Sequence, residues 1–293
     1  MPTPSPMLAQ LSSEIAALVA AAAPSTVALA ARHRSASGFF WRPNVVVAAS
    51  DSIDADDGSE IDVISQGGCV RMKLAGRDPA TDIAILTSEA ANGTPLSLGG
   101  SESVAAGQTV VVAGRSAHGV GCAVGCVSLA GDAWESMRGG RIDQRIGLDL
   151  RLRRELEGGP VLNAAGAAIG MAAPGPRRRT VVIPASTIER IAATLLQHGR
   201  IKYGYLGVAG QPIRTLERAA LMVLGLDSSG PAQQAGILQG DIILSVAGKA
   251  VGSPRRLRRA LGPDTVGHAV PCELIRGGQP LTVSVTVGER QSR

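Results

Sequence analysis

Asp78-Pro79-Ala80-Thr81-Asp82-Ile83-Ala84-Ile85-Leu86 is the stretch on which the fold turns. It runs into a short apolar segment, Ile83–Thr87, that reads as a β-strand. Moving outward, Thr26–Ala31, Val45–Ala49, Ile61–Val63, Thr109–Ala113 and Val181–Ile183 read the same way. Glycine turns at Gly67–Gly68, Gly99–Gly100 and Gly139–Gly140 punctuate them. Residues 26–185 therefore predict an all-β barrel or sandwich.

Helical signals flank this region. Leu8–Ala22 predicts a helix leading into the first strand. The run Ile15–Ala23 is apolar, but no Lys or Arg precedes it and Glu14 sits at its start, so it lacks the basic head of a secretion signal. It is also too short to span a bilayer. The location expected from this is cytoplasmic, or periplasmic if the start site is mis-assigned. After Pro184, apolar residues at Ile188, Ile191, Ala192, Leu195 and Leu196 form a helical stripe over Ser186–His198. Ser186 with Glu189 predicts a capping box, and Gly199 a stop. From Ile201 a small mixed module follows. Its expected strands are Tyr205–Val208, Leu221–Leu226, Asp241–Val246, Ala269–Ile275 and Leu281–Val287, with helices at Pro231–Ala235 and Pro254–Leu261. The organisation is thus 1–24 helical segment, 25–185 β domain, 186–200 linker helix and 201–290 second domain.

Composition narrows the partners. Hydrophobic residues make up 45% of the chain, which is globular, but aromatics only 2%, so Ala, Val, Leu and Ile must build the cores. The net charge of +5 is carried almost entirely by Arg. Its clusters, Arg151–Arg153–Arg154, Arg177–Arg178–Arg179 and Arg255–Arg256–Arg258–Arg259, have no interleaved aromatics to stack on bases. They read as solvated surface, and no nucleic acid is expected. The four cysteines, Cys69, Cys122, Cys126 and Cys272, lack metal-ligand spacing and are expected to be buried free thiols.

Six motifs in order now carry a resemblance. They are Ser37-Gly38-Phe39; Asp78 through Leu86; Val104-Ala105-Ala106-Gly107-Gln108-Thr109-Val110; Gly125-Cys126-Val127-Ser128; Gly158-Gly159-Pro160-Val161-Leu162-Asn163; and Gly166-Ala167-Ala168-Ile169-Gly170. Over about 130 residues this order resembles the HtrA/Deg (DegP-like) family of trypsin-like serine proteases. The resemblance implies a mainly β fold, a chymotrypsin/trypsin-like double β-barrel followed by a small α+β PDZ domain. Neither a cofactor nor a metal is implied.

By that resemblance Asp82 falls on the triad Asp. Asp51 stands where the catalytic His belongs, Glu157 where the Ser nucleophile belongs, and Glu155 where a glycine N–H would serve the oxyanion hole. A serine protease needs a hydroxyl activated by a neutral imidazole that a carboxylate holds in place. Two of those groups are replaced, and Glu155 would set a negative charge beside a developing oxyanion. His33, His118, His198 and His268 remain, of which only His118 falls in a loop of the second barrel. Asp51, Asp82 and Glu157 would converge in one cleft and hold a proton, recruit Arg153 or Arg154, or bind a hard cation.

In the second domain, Gly204-Tyr205-Leu206-Gly207-Val208 resembles the carboxylate-binding loop of HtrA-type PDZ domains, and Gly230 to Gly248 resembles the phrase that follows it. Turned N–H groups there would cradle a peptide C-terminus, the next strand would offer an edge, and Leu257 and Leu261 an apolar wall. The expected partners are peptides or unfolded proteins, bound through their C-termini. Three readings follow: a pseudoprotease that binds peptides as a chaperone or adaptor, an active serine endopeptidase, or a scaffold. HtrA-like proteins commonly form homotrimers through aromatics in the N-terminal segment, and none occurs here before Phe39.

Overall fold

The computed structural model describes residues 5–30, 35–99, 104–176, 179–215 and 218–290. His33, Gly100, Arg177 and Arg178 lie outside them. The chain divides into two compact units between Arg200 and Ile201.

The first unit contains two closed barrels. Strands β1 (Thr26–Ala30), β2 (Ser35–Arg42), β3 (Val45–Ala49), β4 (Glu60–Ser65), β5 (Gly68–Asp78) and β6 (Ile83–Thr87) close in the order β1-β2-β3-β6-β5-β4. Every residue of β3 is buried, which explains its unbroken apolar run. Leu29, Phe40, Val46, Met72, Leu74 and Leu86 fill the interior.

The second barrel uses β7 (Thr109–Ser116) and β8 (Gly119–Gly131). A small hairpin, β9 (Trp134–Glu135) and β10 (Arg141–Ile142), precedes β11 (Arg145–Leu148), β12 (Pro160–Leu162), β13 (Ala168–Pro174) and β14 (Thr180–Pro184). The closed order is β11-β14-β13-β12-β7-β8. Strand periodicity serves both faces of β7. Val110 and Val112 point into the barrel core, while Val111 and Ala113 meet the helix α1 (Pro6–Ala22) through Leu18, Val19 and Ala22. Each fully buried Val, Leu or Ile side chain contributes about 1.5–3 kcal/mol, which is how a chain so poor in rings holds two cores.

Helix α2 (Ala185–His198) buries Ile188, Ile191, Ala192 and Leu195 and packs on β5, β6, β13 and β14, so it belongs to the first unit. Gly199 ends it at φ 71, its N–H donating to Leu195 O at 2.7 Å. Ser186 does not take the N-cap position that the expected capping box gives it. The N-cap falls two residues earlier, at Pro184 and with no side-chain cap bond, and Ser186 sits inside the first turn.

The second unit holds β15 (Gly204–Tyr205), β16 (Val208–Arg214), β17 (Ala219–Leu226), α3 (Pro231–Gln234), β18 (Ile242–Val246), β19 (Lys249–Ala250), α4 (Pro254–Ala260), β20 (Ala269–Arg276), β21 (Gln279–Thr286) and β22 (Gly288–Glu289). Its sheet runs β16-β17-β18-β20-β21, so β16 is an edge. Ser253 caps α4 by accepting from Arg256 N–H, and Pro254 opens the first turn.

The cysteines are all free, but only Cys272 is buried. Burial, then the charges of Asp241 and Glu273, pushes its thiol up to about 12. Cys69 is exposed beside the β4–β5 turn, and Cys122 and Cys126 are half-buried on β8, contrary to the expectation of four buried thiols.

Candidate functional site

The deciding stretch builds its own turn. The buried Asp78 carboxylate accepts from Ala80 N–H at 3.0 Å and from the Thr81 hydroxyl at 2.6 Å. This side-chain turn competes with regular backbone pairing and ends β5. It delivers Asp82 in the left-handed region at φ 60, which Asp tolerates better than most residues. Asp82 is then tied to the end of β3. Its carbonyl accepts from Ser50 N–H at 3.1 Å, and its Oδ1 accepts from Asp51 N–H at 2.8 Å. Asp51 sits in the 3-10 turn Ser50–Ser52 that follows β3.

The β9–β10 turn reaches onto this corner. Arg138 Nη1 donates to Asp51 Oδ1 at 2.6 Å and to Pro79 O at 3.1 Å. The Ser136 hydroxyl donates to Ala80 O. An added Cβ on Gly140 would lie 2.4 Å from Ala80 O, so only glycine permits this approach. No sequence signal marks Arg138: its partner is distant in the chain, and the neighbouring glycines signal only a turn. The expected arginines go elsewhere. Arg153 pairs with Glu155 at 3.3 Å and donates to Cys122 O at 3.0 Å, and the exposed Arg154 opens the 3-10 turn Arg154–Leu156.

That 3-10 turn presents Glu157. Leu156 is fully buried in the second barrel and anchors it. Ser37 N–H donates to Glu157 O at 2.8 Å, while Ser37 Oγ lies 2.5 Å from Glu155 O and accepts from Arg115 N–H at 2.9 Å. Ser37 thereby stitches β2 to β7 and to the turn. The turn also consumes its own donors: Leu156 N–H goes to Arg153 O at 2.9 Å and Glu157 N–H to Arg154 O at 3.0 Å.

Asp82 lies within electrostatic reach of both Asp51 and Glu157. The half-buried Asp82 carboxyl is raised to about 7. Burial is the chief cause; the Asp51 N–H bond and Arg138 pull it down, and the charges of Asp51 and Glu157 push it up. A proton and an arginine therefore share the neutralisation. Arg138 is held more firmly charged, first by its hydrogen bond to Asp51. Among the described residues no group of three His, Cys, Asp or Glu side chains is placed to hold a metal ion. Of the described histidines, His118 is in the β7–β8 turn, His198 at the end of α2 and His268 in the second unit.

In the second unit the strand expected over Tyr205–Val208 is broken. Leu206 turns its side chain into the core and is 2% exposed, and Gly207 takes φ 74. The loop's carbonyls are used: Leu206 O accepts from Ala232 N–H and Gly207 O from Asp227 N–H, each at 2.9 Å. Among the described residues no acceptor takes the N–H of Leu206 or Gly207. Gly204 N–H donates to Leu261 O at 3.1 Å, and Val208 opens the edge strand. Leu257 and Leu261 are 6% and 2% exposed and share the core with Leu206, so they pack the module and add little open wall.

Residues 36–171 match the trypsin-like peptidase domain family, and residues 204–287 the PDZ domain family. A probable periplasmic serine endoprotease, DegP-like, of Halomonas elongata is 30% identical over 278 residues, 87% of this chain and 55% of that protein. The chain belongs to the HtrA/Deg family. A Rhizobium meliloti relative with the same description is 28% identical over 86% of this chain and 53% of its own length. The chain thus spans about half the length of the curated HtrA/Deg relatives it matches. In fold it is similar to the serine endoprotease from Yersinia pestis, with TM-score 0.77 and 24% identity over 99% of this chain and 100% of that one. It is likewise similar to the HtrA-type protease AlgW with decapeptide, with TM-score 0.77 and 21% identity over 95% and 99%. These relatives are named as periplasmic, which lends the expected cytoplasmic location no support. Among the described residues no helix is long and apolar enough to cross a membrane.

Proposed function

We propose that this HtrA-type protein binds peptides or unfolded chains by their C-termini through its PDZ domain, as a chaperone or adaptor, and does not cleave them. The observation that carries the reading is Glu157. It stands at the expected seat of the nucleophile, offers a carboxylate in place of a hydroxyl, and spends its N–H on Arg154 O at 3.0 Å. Asp51 takes the imidazole's place and is engaged by Arg138 at 2.6 Å, so that position holds a carboxylate paired with a cation and not a neutral imidazole. Support for binding comes from the turned N–H groups at Leu206 and Gly207 and from the edge of β16 beside them.

The expected result is that the full chain binds fluorescent decapeptides with a free C-terminal carboxylate at least tenfold more tightly than the same peptides amidated, as about 1.4 kcal/mol of carboxylate recognition requires. Equal affinity for both forms, or none for either, would remove the reading. A second reading, an active serine endopeptidase, is favoured by the relatives' descriptions as serine endoproteases. It demands a nucleophile other than the residue at position 157.

A further inference from the structure

The geometry points to Asp227 as the positioning residue of the carboxylate-binding loop, a role that rests on the peptide-binding reading above. Asp227 follows the last residue of β17 and belongs to none of the motifs that carry the family resemblance. It is exposed, yet it bonds the loop twice directly and once through the turn that follows. Its carboxylate accepts from the Tyr205 hydroxyl. Its N–H donates to Gly207 O at 2.9 Å. Its own carbonyl accepts from Gly230 N–H at 2.8 Å, and the α3 turn begun there returns Ala232 N–H to Leu206 O at 2.9 Å.

The loop and the Asp227–Ala232 turn therefore form one hydrogen-bonded unit, and Tyr205 is its side-chain strut. The crowding agrees. An added Cβ on Gly207 would lie 3.3 Å from Asp227 Cβ and 3.3 Å from Tyr205 Oη, so this glycine has the strut packed directly against it. In a planar trans peptide the N–H points opposite to the preceding carbonyl, so the bond held on Leu206 O turns the Gly207 N–H the other way, toward a ligand carboxylate. Preorganised donors bind more tightly than donors that must first be ordered.

The test uses the full chain with Asp227→Ala, Asp227→Asn, Tyr205→Phe and the Asp227→Ala/Tyr205→Phe double variant. Amide hydrogen exchange without ligand reads the brace itself, at position 227 and at Ala232, with Leu221 and Ile243 as internal controls of the fold. Asp227→Ala and Tyr205→Phe should each lower protection at the two reporter amides about tenfold, the range expected when a hydrogen-bonded strut is lost. Asp227→Asn, which keeps an acceptor, should stay close to the unaltered chain, and the double variant should add nothing to either single one. Affinity for the tightest free-acid decapeptide should fall in the same order. Unchanged protection in both single variants, or additive losses in the double variant, overturns the role. If the unaltered chain fails to prefer free-acid over amidated peptide, the peptide-binding reading falls by itself, and the exchange data still decide the brace.

Discussion

Asp82→Asn should raise the melting temperature of the barrel unit by on the order of 5 °C at about pH 8 and leave it unchanged near pH 3.5. Asn keeps an Oδ1 for the Asp51 N–H and tolerates the left-handed backbone at φ 60, so the substitution removes charge and little else. The sign follows from the direction of the shift. The folded Asp82 carboxyl, at about 7, binds its proton more tightly than the unfolded chain does at 3.8. Below both values each form is protonated and no penalty exists. Between them the folded state holds a proton that the unfolded state has released, and stability falls as pH rises. Above about 7 the full cost of an ionised, half-buried carboxylate is present. At about 1.36 kcal/mol per unit the ceiling is about 4 kcal/mol, and solvent screening of a partly exposed group brings it to about 1–3 kcal/mol. Scans at several pH values check this; a melting difference between the two proteins that does not depend on pH would contradict it.

Gly158→Ala should cost the barrel unit about 3 kcal/mol or more in urea unfolding. Gly158 has φ 80, and an added Cβ would lie 2.2 Å from Ser37 O and 3.0 Å from Ala49 N. Both obstacles are backbone atoms of the first barrel, so no side chain can swing aside. The turn carrying Glu157 must retreat, and the Ser37 N–H bond to Glu157 O goes with it. Gly107→Ala is the matched control: φ is 93 there, but an added Cβ meets nothing within 4 Å, so only the backbone strain of about 1 kcal/mol remains. Equal losses for the two variants would mean that strain, and not the clash with the first barrel, dominates at Gly158.

Much of this is legible in the sequence. Val45–Ala49 and Ile83–Thr87 are strands over the residues read from their apolar runs. Gly199 closes its helix as a glycine in that setting should. Short-range chemistry of this kind is written in adjacent residues. What stayed hidden depends on partners far apart in the chain. Arg138 meets Asp51 across 87 residues, and Asp227 meets Tyr205 across 22, with no spacing rule linking either pair. A capping box at Ser186 presumes where the helix starts, and the extended Pro184 sets the N-cap two residues earlier. Leu257 and Leu261 read equally as groove or core, and only burial separates the two.

The most direct test of the non-cleaving account is incubation of the purified full chain with unfolded casein, alongside labelling by a serine-directed fluorophosphonate. Intact casein and an unlabelled chain are the predicted result. Casein fragments whose appearance is stopped by the fluorophosphonate, with the label covalently on the chain, would contradict it.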